Sequence, residues 1–241
     1  MAMESWFSVP IYAEDLPGGA ELCEQLLPFL YKLSEGRVKH QPMVTGNSYS
    51  GSNAPDLAQY LFRFPEMQPL YSLINDRASR YAHELGIDTT RENLFLGRSW
   101  VNILGEGGRI EAHNHMATIF SGAFYLKVPQ EGMTLRFTDP KQAVRKDPIY
   151  LGHQTPYNLG TVDYPVVPGR LLLFPGYLLH GMVEPNPTDD LRVSMSVDYY
   201  SVSLSGQSAP PPPRHVAERL WKQLDDEMAE LRRTTLRTEP R

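Results

Sequence analysis

The chain has 241 residues, 41% of them hydrophobic and 21% charged, with a formal net charge of -5. These are ordinary values for a soluble globular protein long enough to bury one large core. The acidic balance, with no Lys/Arg cluster ahead of the tail, argues against nucleic acid as a partner. The longest apolar run, Leu171 to Leu179, is broken by Pro175 and Gly176 and is too short to span a membrane. Cys23 is the only cysteine, and the N-terminal stretch lacks a basic segment followed by an apolar one; both point to a cytoplasmic protein.

In chain order, Trp6 to Tyr12 reads as an extended leading segment. Leu22, Leu26, Leu30 and Leu33 recur at helical spacing, with Pro28 expected to distort or divide the helix. A second helical stripe runs through Leu70, Leu73, Ile74, Ala78, Tyr81 and Leu85, and Gly86 ends it. From Leu94 onward the pattern changes to short alternating or β-branched stretches separated by Gly, Pro, Asn and Asp. These are Leu94–Leu104, Ile110–Asn114, Ile119–Val128, Met133–Thr138, Arg170–Phe174, Leu178–Val183 and Leu191–Tyr200. Strands at such close spacing predict a sandwich or barrel. The Pro-, Gly- and Tyr-rich stretch Asp139 to Pro168 has the length of an active-site lid.

Residues 1–205 thus read as one mostly β domain with flanking α-helices. Residues 206–241 form a Pro-rich linker, stiffened by Pro210 to Pro213, and an amphipathic helix. That helix carries Val216, Leu220, Leu224, Met228 and Leu231 on one face, which suits docking on the domain or pairing into a homodimer.

The chemistry gathers around three histidines. His113 and His115 are two apart in GGRIEAHNHMATIF, and His180 follows in FPGYLLHGMVEPN. Side chains two apart on an extended chain share a face, so the pair can reach one metal ion and a third histidine from another strand can complete the set. Three protein ligands leave coordination positions open, as a catalytic metal requires. His40, His83, His153 and His215 are better read as ordinary surface or core residues.

Along the last strand Arg192, Ser194, Ser196 and Asp198 share one side, opposite Leu191, Val193, Met195 and Val197. From Ile119 on, Ser121, Ala123 and Tyr125 alternate with the apolar Phe120, Phe124 and Leu126. Two rows of small or polar residues facing an interior suit a ligand-lined barrel. A buried Arg192 demands an anion, and its planar fork suits a carboxylate, with Tyr125 able to add a hydrogen bond.

The stretch WVNILGEGGRIEAHNHMATIFSGAFYLKVPQEGMTLRFTDP, followed by PGRLLLFPGYLLHGMVEPN and LRVSMS, resembles the 2-oxoglutarate and Fe(II)-dependent oxygenases. It is most similar to a small, largely bacterial branch with an H-x-H…H…R-x-S pattern, and the likeness covers roughly Trp6 to Tyr200. The resemblance implies a double-stranded β-helix, or jelly-roll, core of the cupin-like kind. It implies His113 and His180 as first and last iron ligands, with Arg192, Ser194 and Tyr125 on the distal carboxylate of 2-oxoglutarate. It also implies O2 as co-substrate and a reaction that oxidises a substrate C–H bond while releasing succinate and CO2. Hydroxylation is the default outcome; desaturation or ring closure start from the same hydrogen abstraction. One departure stands out: the wider superfamily has Asp or Glu as middle ligand, where this chain has His115.

Three rivals share the metal motif. A three-histidine cupin-type enzyme using no 2-oxo acid explains His115 but not Arg192 and Ser194. A zinc hydrolase would need a nearby general base, for which Glu111 is the one candidate. A non-catalytic jelly-roll that holds a metal or ligand needs no reaction at all. For a small organic substrate the sequence offers Trp100 and Asn102 on the strand leading into the metal motif. Arg98 and Arg136 could meet an acidic group, and Tyr157 lies within the expected lid.

Overall fold

The computed structural model describes residues 7–35, 44–46, 48–52, 57–129, 133–141, 153–155 and 157–203. In order, the elements are β1 Tyr12–Asp15, α1 Gly19–Ser34, β2 Val44–Thr45, β3 Ser48–Ser50, α2 Gln68–Glu84 and β4 Glu92–Leu104. There follow β5 Arg109–Ile110, β6 Phe120–Lys127, β7 Thr134–Thr138, β8 Thr161–Pro165, β9 Arg170–Pro175, β10 His180–Gly181 and β11 Arg192–Ser203. Three short 3₁₀ turns between Leu57 and Met67 lead into α2.

The strands form a six-stranded sheet in the order β1-β9-β6-β11-β4-β3, a three-stranded sheet β10-β7-β8 and a small β2-β5 pair. Every strand pairing is antiparallel. This is a jelly-roll, whose two main sheets close over a shared interior.

Strand parity decides what each face buries. On β11, Val193, Met195, Val197 and Tyr199 turn outward with Phe120, Phe124 and Leu126 of β6 and Leu171 and Leu173 of β9. Leu26, Leu30 and Leu33 of α1 and Leu70, Ile74 and Ala78 of α2 cover this face, giving the larger core. The alternate residues face the other sheet: Tyr125, Leu172 and Phe174 meet Leu135, Phe137 and Leu178 in a second apolar cluster. The helices are therefore external buttresses, and the site lies between the sheets.

Both helical stripes are real. Gly86 ends α2 in the left-handed region at φ 72°, where its N–H bonds the His83 carbonyl and that of Ile87 bonds Ala82. Pro28, by contrast, does not divide α1, which runs unbroken from Gly19 to Ser34. Burial of Leu26, Leu30 and Leu33 against the sheet outweighs the one backbone bond that proline cannot make.

Two expected strands are much shorter than their patterns suggest. Ile110–Asn114 contributes β5 and an isolated bridge between His113 and His180; Leu178–Val183 contributes only the two residues of β10. The expected lid is partly a strand, because β8 pairs along the whole of β7. The linker and tail helix of residues 206–241, and any homodimer through them, lie outside the described residues. No described helix is long and apolar enough to cross a membrane.

Candidate metal centre

His113, His115 and His180 converge, with ligand nitrogens all within 4.8 Å of one another. Strand alternation alone does not bring them there. His113 sits on β10 through a two-way backbone bridge to His180, 2.9 Å in each direction. His115 lies beyond the strand, where its N–H donates to the Gly176 carbonyl at 2.7 Å. Close approach at both contacts depends on glycine: a Cβ on Gly181 would meet Ala112 backbone at 2.8 Å, and one on Gly176 would meet the His115 carbonyl at 2.7 Å.

Each ring is oriented by a bond at Nδ1. His113 Nδ1 lies 2.8 Å from the Glu111 carbonyl, and His180 Nδ1 lies 2.8 Å from the Leu178 carbonyl. A carbonyl can only accept, so both Nδ1 atoms carry the proton and both Nε2 atoms present a lone pair. His115 Nδ1 lies 2.6 Å from Asp198 Oδ1, a carboxylate that also accepts from Ser121 Oγ at 2.7 Å. Three imidazoles with Nδ1 tethered and Nε2 turned to one space form a donor set suited to a divalent metal such as Fe(II). Burial holds His113 and, much more strongly, His180 below the ordinary imidazole pKa, which keeps them unprotonated as ligation requires. Stacking of His115 on Trp100, with centroids 5.8 Å apart and planes 23° apart, fixes the third ring.

The inward row of β11 reaches the same space. Arg192, Ser194, Ser196 and Asp198 line a cavity of about 290 Å³ together with the three histidines, Trp100 and Asn102. Arg192 is 3% exposed, and its Nε has no hydrogen-bond partner. Its guanidinium lies over the Tyr125 ring, 5.5 Å from the centroid. Burial pushes its pKa down, and among the described residues no carboxylate pairs with it. A desolvated guanidinium in that state is a built receptor for an anion.

Of the residues singled out in the sequence, His113, His115, His180, Arg192, Ser194, Tyr125, Trp100, Asn102 and Arg98 all line this cavity. Arg136 does not. It sits on β7 and is neutralised by a two-pronged pair with Asp163 of β8, both bonds 2.7 Å, outside the cavity lining. Tyr157 is 52% exposed and also outside the lining. Asp198 has the role that the sequence reading did not assign. Its position in the inward row was legible, but its partner His115 is 83 residues away, and no spacing rule links the two.

Residues 98–198 match the family model described as "Putative 2OG-Fe(II) oxygenase". Comparison with curated proteins found no match. Among solved structures, the chain resembles the non-heme alpha ketoglutarate dependent epimerase SnoN from nogalamycin biosynthesis. That TM-score is 0.55 at 16% identity, over 84% of this chain and 87% of the other. The alpha ketoglutarate dependent carbocyclase SnoK of the same biosynthesis gives 0.53 at 14%, over 86% and 85%. A Pseudomonas putida prolyl-4-hydroxylase gives 0.50 at 12%, over 80% and 91%. At these identities the structural likeness speaks for the jelly-roll fold.

Proposed function

We propose, from an oxygenase pattern over residues 98–198, that this chain is a 2-oxoglutarate- and Fe(II)-dependent enzyme oxidising a C–H bond of a small organic substrate. The observation that carries this reading is the presence, in one cavity, of three imidazoles with free Nε2 atoms and a buried arginine lacking an anion. His113, His115 and His180 would hold the metal. Arg192, with Tyr125 and Ser194 beside it, would take the distal carboxylate of 2-oxoglutarate. When bound, the iron and 2-oxoglutarate pair would activate O2 at the cost of one CO2 and leave succinate.

The remaining work belongs to the protein. Arg192 and Tyr125 set how deep the keto acid enters and aim its other end at the histidines. Phe174 and Leu135 on the cavity wall limit water beside the metal. Trp100 and Asn102 face the open side and position the substrate; Asn102 is pinned by Ser50 at 2.6 Å and Ser196 at 3.2 Å. The cavity volume, about 290 Å³ for keto acid and substrate together, favours a small molecule. Hydroxylation is the default product, with desaturation and ring closure open to the same site. A three-histidine cupin chemistry without keto acid leaves the buried Arg192 unexplained.

The test is anaerobic titration of metal-free protein with Fe(II) and then 2-oxoglutarate. A weak visible charge-transfer band should form, and it should be lost in Arg192→Ala and His180→Ala. Iron binding with no band, and no succinate on admitting air, would return the cupin reading to first place.

A further inference from the structure

Arg98 is the second arginine on the cavity wall, and the site as described has no use for it. It lies on β4 directly opposite Asp198 of β11, on the inward row. The obvious partner is already engaged, since Asp198 Oδ1 accepts from both His115 and Ser121. Among the described residues Arg98 forms no ion pair. It is nevertheless held in place: one terminal nitrogen donates to the Ser52 carbonyl, and the Trp100 ring lies 5.0 Å from its carbon. Its Nε is buried with no acceptor. Trp100 in turn stacks on His115, so Arg98 stands one indole away from the metal centre.

Charge balance shows what is missing. In a loaded site the two charges of a divalent metal are met by the two carboxylates of 2-oxoglutarate. Asp198, bonded to His115, offsets Arg192. Among the described residues Arg98 is then left as the one cavity-lining cation without an anionic partner, its Nε desolvated and open to an acceptor that a ligand could bring. The neighbouring wall is apolar: Val44, Ile110, Met116 and Met182 line the same cavity.

We propose that Arg98 is the substrate-reading cation of this site, and that the substrate is a small monocarboxylic acid with an apolar carbon frame. The carboxylate meets the guanidinium that Trp100 and Ser52 hold in place. The apolar frame lies along Val44, Ile110 and Met116, and the carbon to be oxidised reaches the open side of the metal. This rests on the oxygenase reading for its chemistry but not for the binding preference itself.

The experiment measures binding to the anaerobic Fe(II)- and 2-oxoglutarate-loaded full chain by calorimetry. The probes are benzoate, phenylacetate, 3-phenylpropanoate and hexanoate, each beside its uncharged primary amide. At least one acid should bind about tenfold or more tightly than its amide, as expected of one charge-assisted contact. That preference should vanish in Arg98→Gln and persist in Arg98→Lys. The proposal falls if no acid outbinds its amide, or if Arg98→Gln keeps the preference. The same titrations with Zn(II) in place of iron and without keto acid, run on wild type and on Arg98→Gln because Arg192 is then also free to take an acid, separate the two readings. An acid preference in a protein that forms no charge-transfer band sinks the oxygenase reading and leaves the anion site standing.

Discussion

At the residue scale, the His115–Asp198 contact is the feature that sets this centre apart. A superfamily member with Asp as middle ligand places one negative charge on the metal itself. In the proposed centre an imidazole, His115, takes that place, and a buried carboxylate, 2% exposed, lies 2.6 Å from its Nδ1. The charge is moved back by one imidazole and still acts through the ring it orients, making Asp198 a positioning residue. Asp198→Asn keeps the size and an acceptor oxygen for His115 Nδ1 but removes the charge. Divalent metal affinity, read by competition titration with Zn(II), should fall roughly 10- to 100-fold, while the metal-free protein remains folded by circular dichroism. Unchanged affinity would show that the carboxylate serves packing alone.

At the element scale, the centre depends on two very short stretches of backbone. β10 has only two residues, and its bridge to His113 is what joins the two ends of the motif. That bridge needs Gly181, whose missing Cβ leaves room for Ala112 backbone at 2.8 Å. Gly181→Ala must push β10 and the 112–113 segment apart, because neither contacting group is a flexible side-chain end. The expected result is loss of metal binding by more than about tenfold, a few kcal/mol being the usual cost of such strain. The circular dichroism spectrum of the sheets should be retained. Normal zinc affinity in this variant would mean that the bridge is not what aligns His180.

The same scale shows where sequence patterns run out. The stripes of both helices and the alternation on β6 and β11 were legible, because one buried face imposes a fixed period on the chain. The extents of β5 and β10 were not. Their strand-like stretches continue past the paired residues, yet pairing stops after two residues once the backbone turns to bring His113, His115 and His180 together. The β8 strand was hidden for the opposite reason. Val162, Tyr164 and Val166 do alternate with Thr161, Asp163 and Pro165, but the stretch is short and set among Pro, Gly and Tyr, Val162 is exposed and Asp163 is spent on Arg136, so backbone pairing with β7 supplies its order.

At the scale of the whole molecule, two layers do separate work. Helices α1 and α2 press on one face of the six-stranded sheet and give the large core; the space between the sheets holds the smaller apolar cluster and the site. Stability should carry the mark of that division in its pH dependence. His113 and His180 have folded pKa values depressed by burial below the ordinary 6.5, so near and below that pH the unfolded chain binds protons that the folded chain does not. Metal-free protein should therefore lose stability as pH falls from about 7 to about 5.5. Paired carboxylates such as Glu14 and Asp15 add their own loss only at lower pH, since their folded values lie below 4.5 and 3.8. Adding Zn(II) should raise the melting temperature most at the upper end of that range, where the imidazoles are free to bind. A melting temperature that is flat from pH 7 to 5.5 in the metal-free protein would contradict neutral, buried histidines.

The sequence by itself determined the class of the fold and brought forward most of the residues that line the cavity. Periodicity and local composition are properties of neighbouring residues, and a motif such as His113-x-His115 followed by a buried His180 and Arg192 is read along the chain. Only the tertiary structure decided which charges meet. Asp198 went to His115, Asp163 took Arg136 out of the site, and Arg98 was left facing the cavity among the described residues without a carboxylate of its own. The reason is physical: a charge takes the partner that the fold brings within a few ångströms, and that distance is set by sheet closure between residues far apart along the chain.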